Sequence, residues 1–351
     1  MSTISGAATA PRGSDDLWAE RPGSQGQGGR GERGGEANAI GGAATSSAPE
    51  HWEGARLPVL GEAAFAAWQE ELGHRVIEHR SRYWIEVGRG LFQPVHPLAR
   101  LRRDEATRPT RRCWGFRARL APEDELHADA SIPVHLLPDP QSYSLQRLSG
   151  RRRRYVRISL RDLDIVILAS PDILIDQGYR LAEEAHAHNR NSVLPTPGAF
   201  RRKVESNFAP GRGLALAALH HDRLLGFTLM NAVDGVAYEH SGRIGREGLE
   251  RNVRLCLFHV VASIAQRSPG IDEVMNGFHA REAESLCAFK HDQGCEVAQL
   301  PARAWFAPLV EPLLRRARPH KHYRLAGLGR SGAAGALSAD LQSGEAPPSG
   351  R

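Results

Sequence analysis

The stretch Leu214–Val297 decides how this chain is read. It runs LALAALHHDRLLGFTLMNAVDGVAYEHSGRIGREG from Leu214, LERNVRLCLFHVVASIAQR from Leu249, IDEVMNGF from Ile271 and EAESLCAFKHDQGCEV from Glu282. His220-His221-Asp222-Arg223 and Asp234-Gly235 cut its first part into three apolar runs, Leu214–Leu219, Leu224–Val233 and Val236–His240. Asp-Gly between two strand-like runs is a strong hairpin signal, because the tight turn needs a positive φ that glycine adopts without strain. Three antiparallel strands are therefore expected. They lead into a Gly-rich loop (Ser241–Gly248), a helix from about Leu249 to Arg267, a strand at IDEVMNGF, a second helix and a last strand.

Outside this stretch the chain divides by composition. Residues 1–50 and 327–351 are rich in Gly, Ser and Ala with few large apolar side chains. Such segments cannot bury enough surface to offset their ordering entropy, so both are expected to be disordered. What remains reads as two linked lobes, a first α/β lobe over 51–140 and a second domain over 141–326. In the first, Phe65, Trp68, Leu72, Val76 and Ile77 fit one face of a helix ending at Gly88 and Gly90. Arg112–Arg117 and IPVHLL read as strands. In the second, Tyr143–Ser159 reads as a helix crowded with arginines, LDIVIL as a strand, and Ser170 caps the next helix. Pro195 and Pro197 keep the following linker extended, and Phe200–Phe208 forms a short helix.

The chain has a formal net charge of +6 and a pI of about 9.4, with Arg far outnumbering Lys. A basic balance favours anionic partners such as nucleic acid or phosphorylated cofactors, although an ordinary Arg-rich surface gives the same count. Arg151, Arg152, Arg153 and Arg154 are consecutive and so cannot share one helix face. As a group they suit phosphate, which a guanidinium fork binds bidentately. Cys113, Cys256, Cys287 and Cys295 form no CxxC pair, and His186 and His188 point to different sides of a helix. No metal is expected. No apolar run approaches the ~20 residues of a membrane span, and no secretory signal is visible. A cytoplasmic location is the default expectation.

The element order of Leu214–Val297 resembles the GCN5-related acetyltransferase (GNAT) fold, an α/β mixed sheet flanked by helices. Its details are most similar to the branch holding the Fem-type peptidoglycan aminoacyltransferases and related acyltransferase-like proteins. Leu286-Cys287-Ala288-Phe289-Lys290-His291-Asp292-Gln293-Gly294 resembles that branch's L-x-x-FK-x-x-x-G signature. The Arg-rich end of the 143–159 helix is similar too. The resemblance covers Gly213–Val297 well, Tyr143–Arg190 loosely, and the first lobe not at all.

It implies acyl or aminoacyl transfer to an amine, with acyl-CoA or aminoacyl-tRNA as donor, a small-molecule or peptide amine as acceptor, and tRNA as a partner. In such folds two neighbouring strands splay, here near His240, and the donor's carrier arm bonds the freed main chain like an added strand. The pyrophosphate sits where the next loop enters a helix. Gly242, Gly245 and Gly248 would then let phosphate approach, with Arg243 and Arg246 adding charge, although the usual R/Q-x-x-G-x-G/A spacing is missing. The attacking amine must lose a proton and the oxyanion needs a donor. Glu239 and His240, adjacent at the strand end, are candidate bases, and Lys290 is carried over from the FK motif as the catalytic cation. Tyr238 reads as a core residue. Asn276 falls at the strand end expected to face a ligand. With Phe289, Arg151 and Arg154 it completes the candidate substrate contacts. Two other readings stay open: a CoA-dependent N-acetyltransferase of a small metabolite, and a catalytically silent module that binds an anionic partner.

Overall fold

The computed structural model describes residues 50–188 and 194–328. Apart from a few residues at their inner ends, the arm and tail expected to be disordered lie outside the described residues.

The first stretch departs from its expected helix. Helix α1 (Glu62–Glu71) follows the short strands β1 (Glu50–His51) and β2 (Val59–Leu60), and stops where Gly73 takes φ +89°. The remainder of the expected helix is a hairpin of β3 (Val76–His79) and β4 (Arg82–Gly88). Its turn residues Arg80 and Ser81 both have positive φ, 53° and 60°, the twist a two-residue hairpin requires. The apolar spacing from Phe65 to Ile77 satisfied a helix only because Gly73 turns the chain between two unrelated faces. Strands β5 (Leu91–Pro94), β6 (Arg100–Leu101), β7 (Gly115–Leu120) and β8 (Ala130–Pro138) complete this part, so the expected 112–117 strand starts three residues later.

In the second part α2 (Gly150–Asp162) begins well after Tyr143, at Ser149, whose hydroxyl accepts from the Arg152 amide at 3.4 Å. Strand β9 (Asp164–Ile167) follows, then α3 (Tyr179–His188) behind a π-turn, and α4 (Pro197–Asn207), capped by Thr196 at 3.3 Å. The three expected strands are present as β10 (Leu214–His220), β11 (Arg223–Val233) and β12 (Val236–Ile244), the last running four residues past His240. Asp234 and Gly235 form the tight turn with φ 45° and 84°. Next come α5 (Arg246–Glu250), α6 (Val253–Arg267), β13 (Glu273–Phe278), α7 (Glu284–Asp292), β14 (Glu296–Phe306), α8 (Val310–Ala317) and α9 (Pro319–Ala326).

Among the described residues one sheet runs β1-β9-β10-β11-β12-β13-β8-β14-β7-β5-β4-β3, with β2 beside β11 and β6 beside β7. Strand β8, from the first stretch, sits between β13 and β14 of the second, so both halves share a single ladder. Helix α6 is buried along almost its whole length, which is why it is apolar on nearly every side. It covers one face over Leu216, Met230, Ala237 and Val274. The other face, under α3 and α4, packs Leu174, Leu181, Phe200 and Phe227. The last helix is tied down from inside. Arg117 on β7 is 2 % exposed; Nε and Nη2 donate to Gln93 at 3.3 and 2.8 Å, and Nη1 donates to the Arg324 carbonyl of α9. Burial draws this guanidinium down to about 9, so it stays charged at neutral pH.

Candidate functional site

Strands β12 and β13 run parallel through three partners only, Val236↔Glu273, Ala237↔Val274 and Tyr238↔Met275. Beyond Tyr238 they part. On β12 a bulge makes His240 the extra residue, since Leu229 faces Ser241 while Met230 faces Glu239. On β13 a second irregularity falls at Asn276–Gly277, because Met275 faces Leu136 and Phe278 faces Val134. The two kinks lie side by side. The expected slot near His240 is therefore present, and the β13 ladder does not reach the main chain of Glu239 and His240.

Gly277 holds its kink at φ 80°, the left-handed region. Alanine there is expected to cost about 1–2 kcal/mol in urea unfolding, the ordinary cost of a side chain in that region. An unchanged midpoint would show that the bulge does not need this geometry.

Polar side chains collect where the strands part. Glu239, its side chain 3 % exposed, accepts from the Thr228 hydroxyl at 2.9 Å and pairs with the Arg254 guanidinium through the same oxygen, Oε1. Its other oxygen, Oε2, is buried and has no hydrogen-bond partner among the described residues. Arg254, in the first turn of α6, also donates to Asn276 Oδ1 at 3.4 Å and so spans the slot from β12 to β13. Asn276 in turn donates to Gln293 at 3.0 Å and to the Cys295 sulfur at 3.5 Å. Burial pushes the Cys295 thiol up to about 12, so it remains protonated. The cluster thus holds one carboxylate, one guanidinium and two amides, with a free carboxylate oxygen as its acceptor.

His240 lies beside Glu239 but in a different setting. Its Nε2 is 3.3 Å from Asn207 Oδ1 and its ring meets Trp68 edge-on at 6.0 Å. Burial, with Lys203 adding repulsion, pulls its pKa from 6.5 to about 3. His259 is drawn to about 4, chiefly by burial, beside the Tyr143 hydroxyl at 3.0 Å. Both folded values lie below 6.5, so the unfolded chain takes up these protons first as the pH falls. Their contribution is complete above about pH 6.5 and is lost on the way down to pH 4 and 3. The urea midpoint is expected to fall between pH 7 and pH 5, and His240→Gln to flatten that fall. A variant with the wild-type pH slope would remove His240 from the account.

The remaining sequence candidates separate into groups. Tyr238 sits in the core as expected, its hydroxyl 2.9 Å from His96 Nδ1 and accepting from the Leu98 amide at 3.3 Å. Lys290 lies on α7 and is 1 % exposed, near enough to Cys295 for its charge to favour the thiolate. Phe289 packs towards α2 with the Arg152 guanidinium 5.8 Å from its ring, and Arg152 pairs with Asp292. Arg151 and Arg154 are exposed on α2, Arg151 donating to the Tyr155 hydroxyl at 3.0 Å.

The Gly-rich connector is not a loop. Gly242 and Arg243 are paired in β12 against Thr228 and Phe227, and the Arg243 guanidinium donates to the Gly242 carbonyl at 2.9 Å. Gly245 and Gly248 give space to the chain itself: a Cβ would come within 2.7 Å of Leu181 and 2.5 Å of the Leu225 carbonyl, respectively. The turn's amides are also in use. Gly245 donates to Leu225 at 2.9 Å, and Arg246 donates to the Glu184 carboxylate at 3.2 Å. A cavity of about 780 Å³ opens here, walled by Arg180, Arg223, Arg246 and Arg251. Each of these arginines pairs with Glu184, Glu247 or Glu250.

Arg254, Thr228, Gln293 and Glu184 escaped the sequence reading. Arg254 sits on a helix otherwise marked by its apolar residues, and its partners lie 15 and 22 positions away. A cation in the first turn of a buried helix, where anions are favoured, was the available signal.

No protein-family model matches the chain, and no curated protein matches it in sequence. Solved structures do match. The crystal structure of FemX aligns with a TM-score of 0.52 at 9% identity, covering 72% of this chain and 92% of that one. The C-terminal domain of a putative lysylphosphatidylglycerol synthetase from Agrobacterium fabrum aligns at 0.47 and 10% identity, covering 76% and 98%. A GCN5-related N-acetyltransferase from Kribbella flavida aligns at 0.36 and 12% identity, covering 71% and 96%. Among the described residues no helix is long and apolar enough to cross a membrane. At such identities the likeness is one of architecture: this chain has a GNAT-like fold, and FemX is among the structures that share it.

Proposed function

We propose that the protein transfers an acyl or aminoacyl group to an amine where β12 and β13 part. The observation that carries this reading is the slot itself, with a buried carboxylate oxygen on Glu239, unpartnered among the described residues, beside main chain that β13 does not pair. The donor's arm adds to the exposed edge of β12 as a strand would. The acceptor nitrogen attacks the donor carbonyl and its proton passes to Glu239 Oε2, directly or through water. Arg254 uses two of its five N–H groups on Glu239 and Asn276, and a remaining one faces the developing oxyanion. Collapse of the tetrahedral adduct expels the carrier's oxygen or sulfur, which takes up a proton. Lys290 acts from behind this layer as a positioning charge.

The turn after β12 weighs on the donor. Its Arg246 amide already holds Glu184, and the nearby arginines are paired to glutamates, so a coenzyme pyrophosphate would have to displace the protein's own anions. This favours an aminoacyl ester, with the exposed Arg151 and Arg154 meeting the phosphates of a tRNA carrier. Calorimetry of the full chain against acetyl-CoA and a charged tRNA pool tests the choice. Salt-sensitive heat with tRNA and none with millimolar acetyl-CoA is expected. Stoichiometric coenzyme binding would return the protein to the N-acetyltransferases, and transfer to no amine from either donor would leave only a binding module.

A further inference from the structure

Behind the slot, three side chains from three separate elements converge. His135 comes from β8, His279 from the residue after β13 and Cys287 from α7, and one potential ligand atom of each lies within 4.8 Å of the other two. They are 144 and 8 positions apart in sequence at successive steps, so no spacing rule could reveal them. The bulge at Asn276–Gly277 makes the meeting possible, since it shifts Phe278 onto Val134 and so puts His279 opposite Pro133, two residues from His135 and on the same face of the pleat. The His279 amide then donates to the Pro133 carbonyl at 2.9 Å, and the two imidazole rings sit 5.3 Å apart at 63°.

We propose that His135, His279 and Cys287 form a site for a divalent transition-metal ion of the zinc type. Two imidazoles and one thiolate are the donor set that zinc and cobalt prefer, and hard oxygen-seeking cations do not. The outer contacts fit as well. His279 Nδ1 lies 2.7 Å from the Tyr323 hydroxyl, which also accepts from Gln299 at 3.1 Å. With Nδ1–H turned to that oxygen, Nε2 presents its lone pair to the ion, the arrangement by which ligating histidines are usually oriented. Tyr323 is held in place by α9, which Arg117 anchors from within the sheet. Cys287 Sγ now lies 3.3 Å from the Ala280 carbonyl. On binding, its S–H proton goes to solvent and the sulfur–metal bond replaces that contact. His135 is buried whereas His279 and Cys287 are half-buried, which leaves an open side for a fourth ligand such as water. The site is independent of the transfer chemistry proposed above: it uses none of Glu239, Arg254 or Asn276.

Cobalt(II) titration of the purified full chain is the test. The expected result is one equivalent bound, with near-ultraviolet thiolate-to-cobalt absorption that Zn²⁺ in excess abolishes. Cys287→Ser, whose far-ultraviolet circular dichroism should match the wild type because the thiol is half-exposed, is expected to lose the absorption. His279→Gln gives a second route to the same loss. Tyr323→Phe should keep the absorption but weaken affinity by about 10-fold or more. Binding without thiolate absorption, absorption that survives Cys287→Ser, or no stoichiometric cobalt at all would each overturn the assignment.

Discussion

Replacing Arg254 with alanine is expected to cost about 3–5 kcal/mol of folding stability, the usual penalty for stripping the partner from a buried ion pair. The burden falls on Glu239. Its side chain is 3 % exposed, and without Arg254 the Thr228 hydroxyl at 2.9 Å is its one remaining hydrogen-bond donor among the described residues. Asn276 loses the guanidinium as well, so the amide chain to Gln293 and Cys295 is left holding the slot alone. Most of the cost arises from an uncompensated charge, so it should be largely relieved when that charge is also removed. Glu239→Gln/Arg254→Ala is expected to recover about 2 kcal/mol relative to the sum of the single changes. Urea unfolding of the four proteins measures this. Additive effects, or a single-variant cost below about 1 kcal/mol, would mean that water already solvates the pair and that Arg254 does not brace the slot.

The elements that the sequence revealed were those governed by local rules. Asp234-Gly235 set a hairpin turn, alternating apolar runs set β10 to β12, and Pro269-Gly270 ended α6. Where local rules gave two answers, tertiary pairing chose. Gly73 with Arg80-Ser81 turned the second half of an expected helix into β3 and β4, and α2 began behind its Ser149 cap rather than at Tyr143. The site was half legible. Glu239 and Asn276 stood out because a strand end faces a crevice. The cation that joins them did not, since pairing across 15 and 22 residues leaves no local trace. The glycines carry a related ambiguity. Gly242, Gly245 and Gly248 are small because other parts of the chain pass close to them, a cause that reads in sequence like a phosphate cradle.

Glu239→Gln is expected to lower transfer to the amine acceptor by about 10²–10⁴-fold, the range ascribed to a positioned general base. The comparison that gives this meaning is His240→Gln. The two side chains are neighbours, yet burial holds the histidine at about 3, so at neutral pH it has almost no appetite for a proton. A base that weak contributes little driving force, and its loss should change turnover less than about 10-fold. The glutamate is different in kind. Arg254 and Thr228 hold one oxygen in place, and the second, Oε2, is buried without a partner among the described residues, a condition that costs free energy unless something arrives to use it. Glutamine preserves shape and the Thr228 contact but cannot take a proton, so the loss should appear in turnover while the unfolding midpoint moves little. If Glu239→Gln transfers at the wild-type rate, the carboxylate is a brace for Arg254 and the base lies elsewhere. If it fails together with a collapsed midpoint, the readout is structural, and single-turnover rates on the fraction still folded decide between the two.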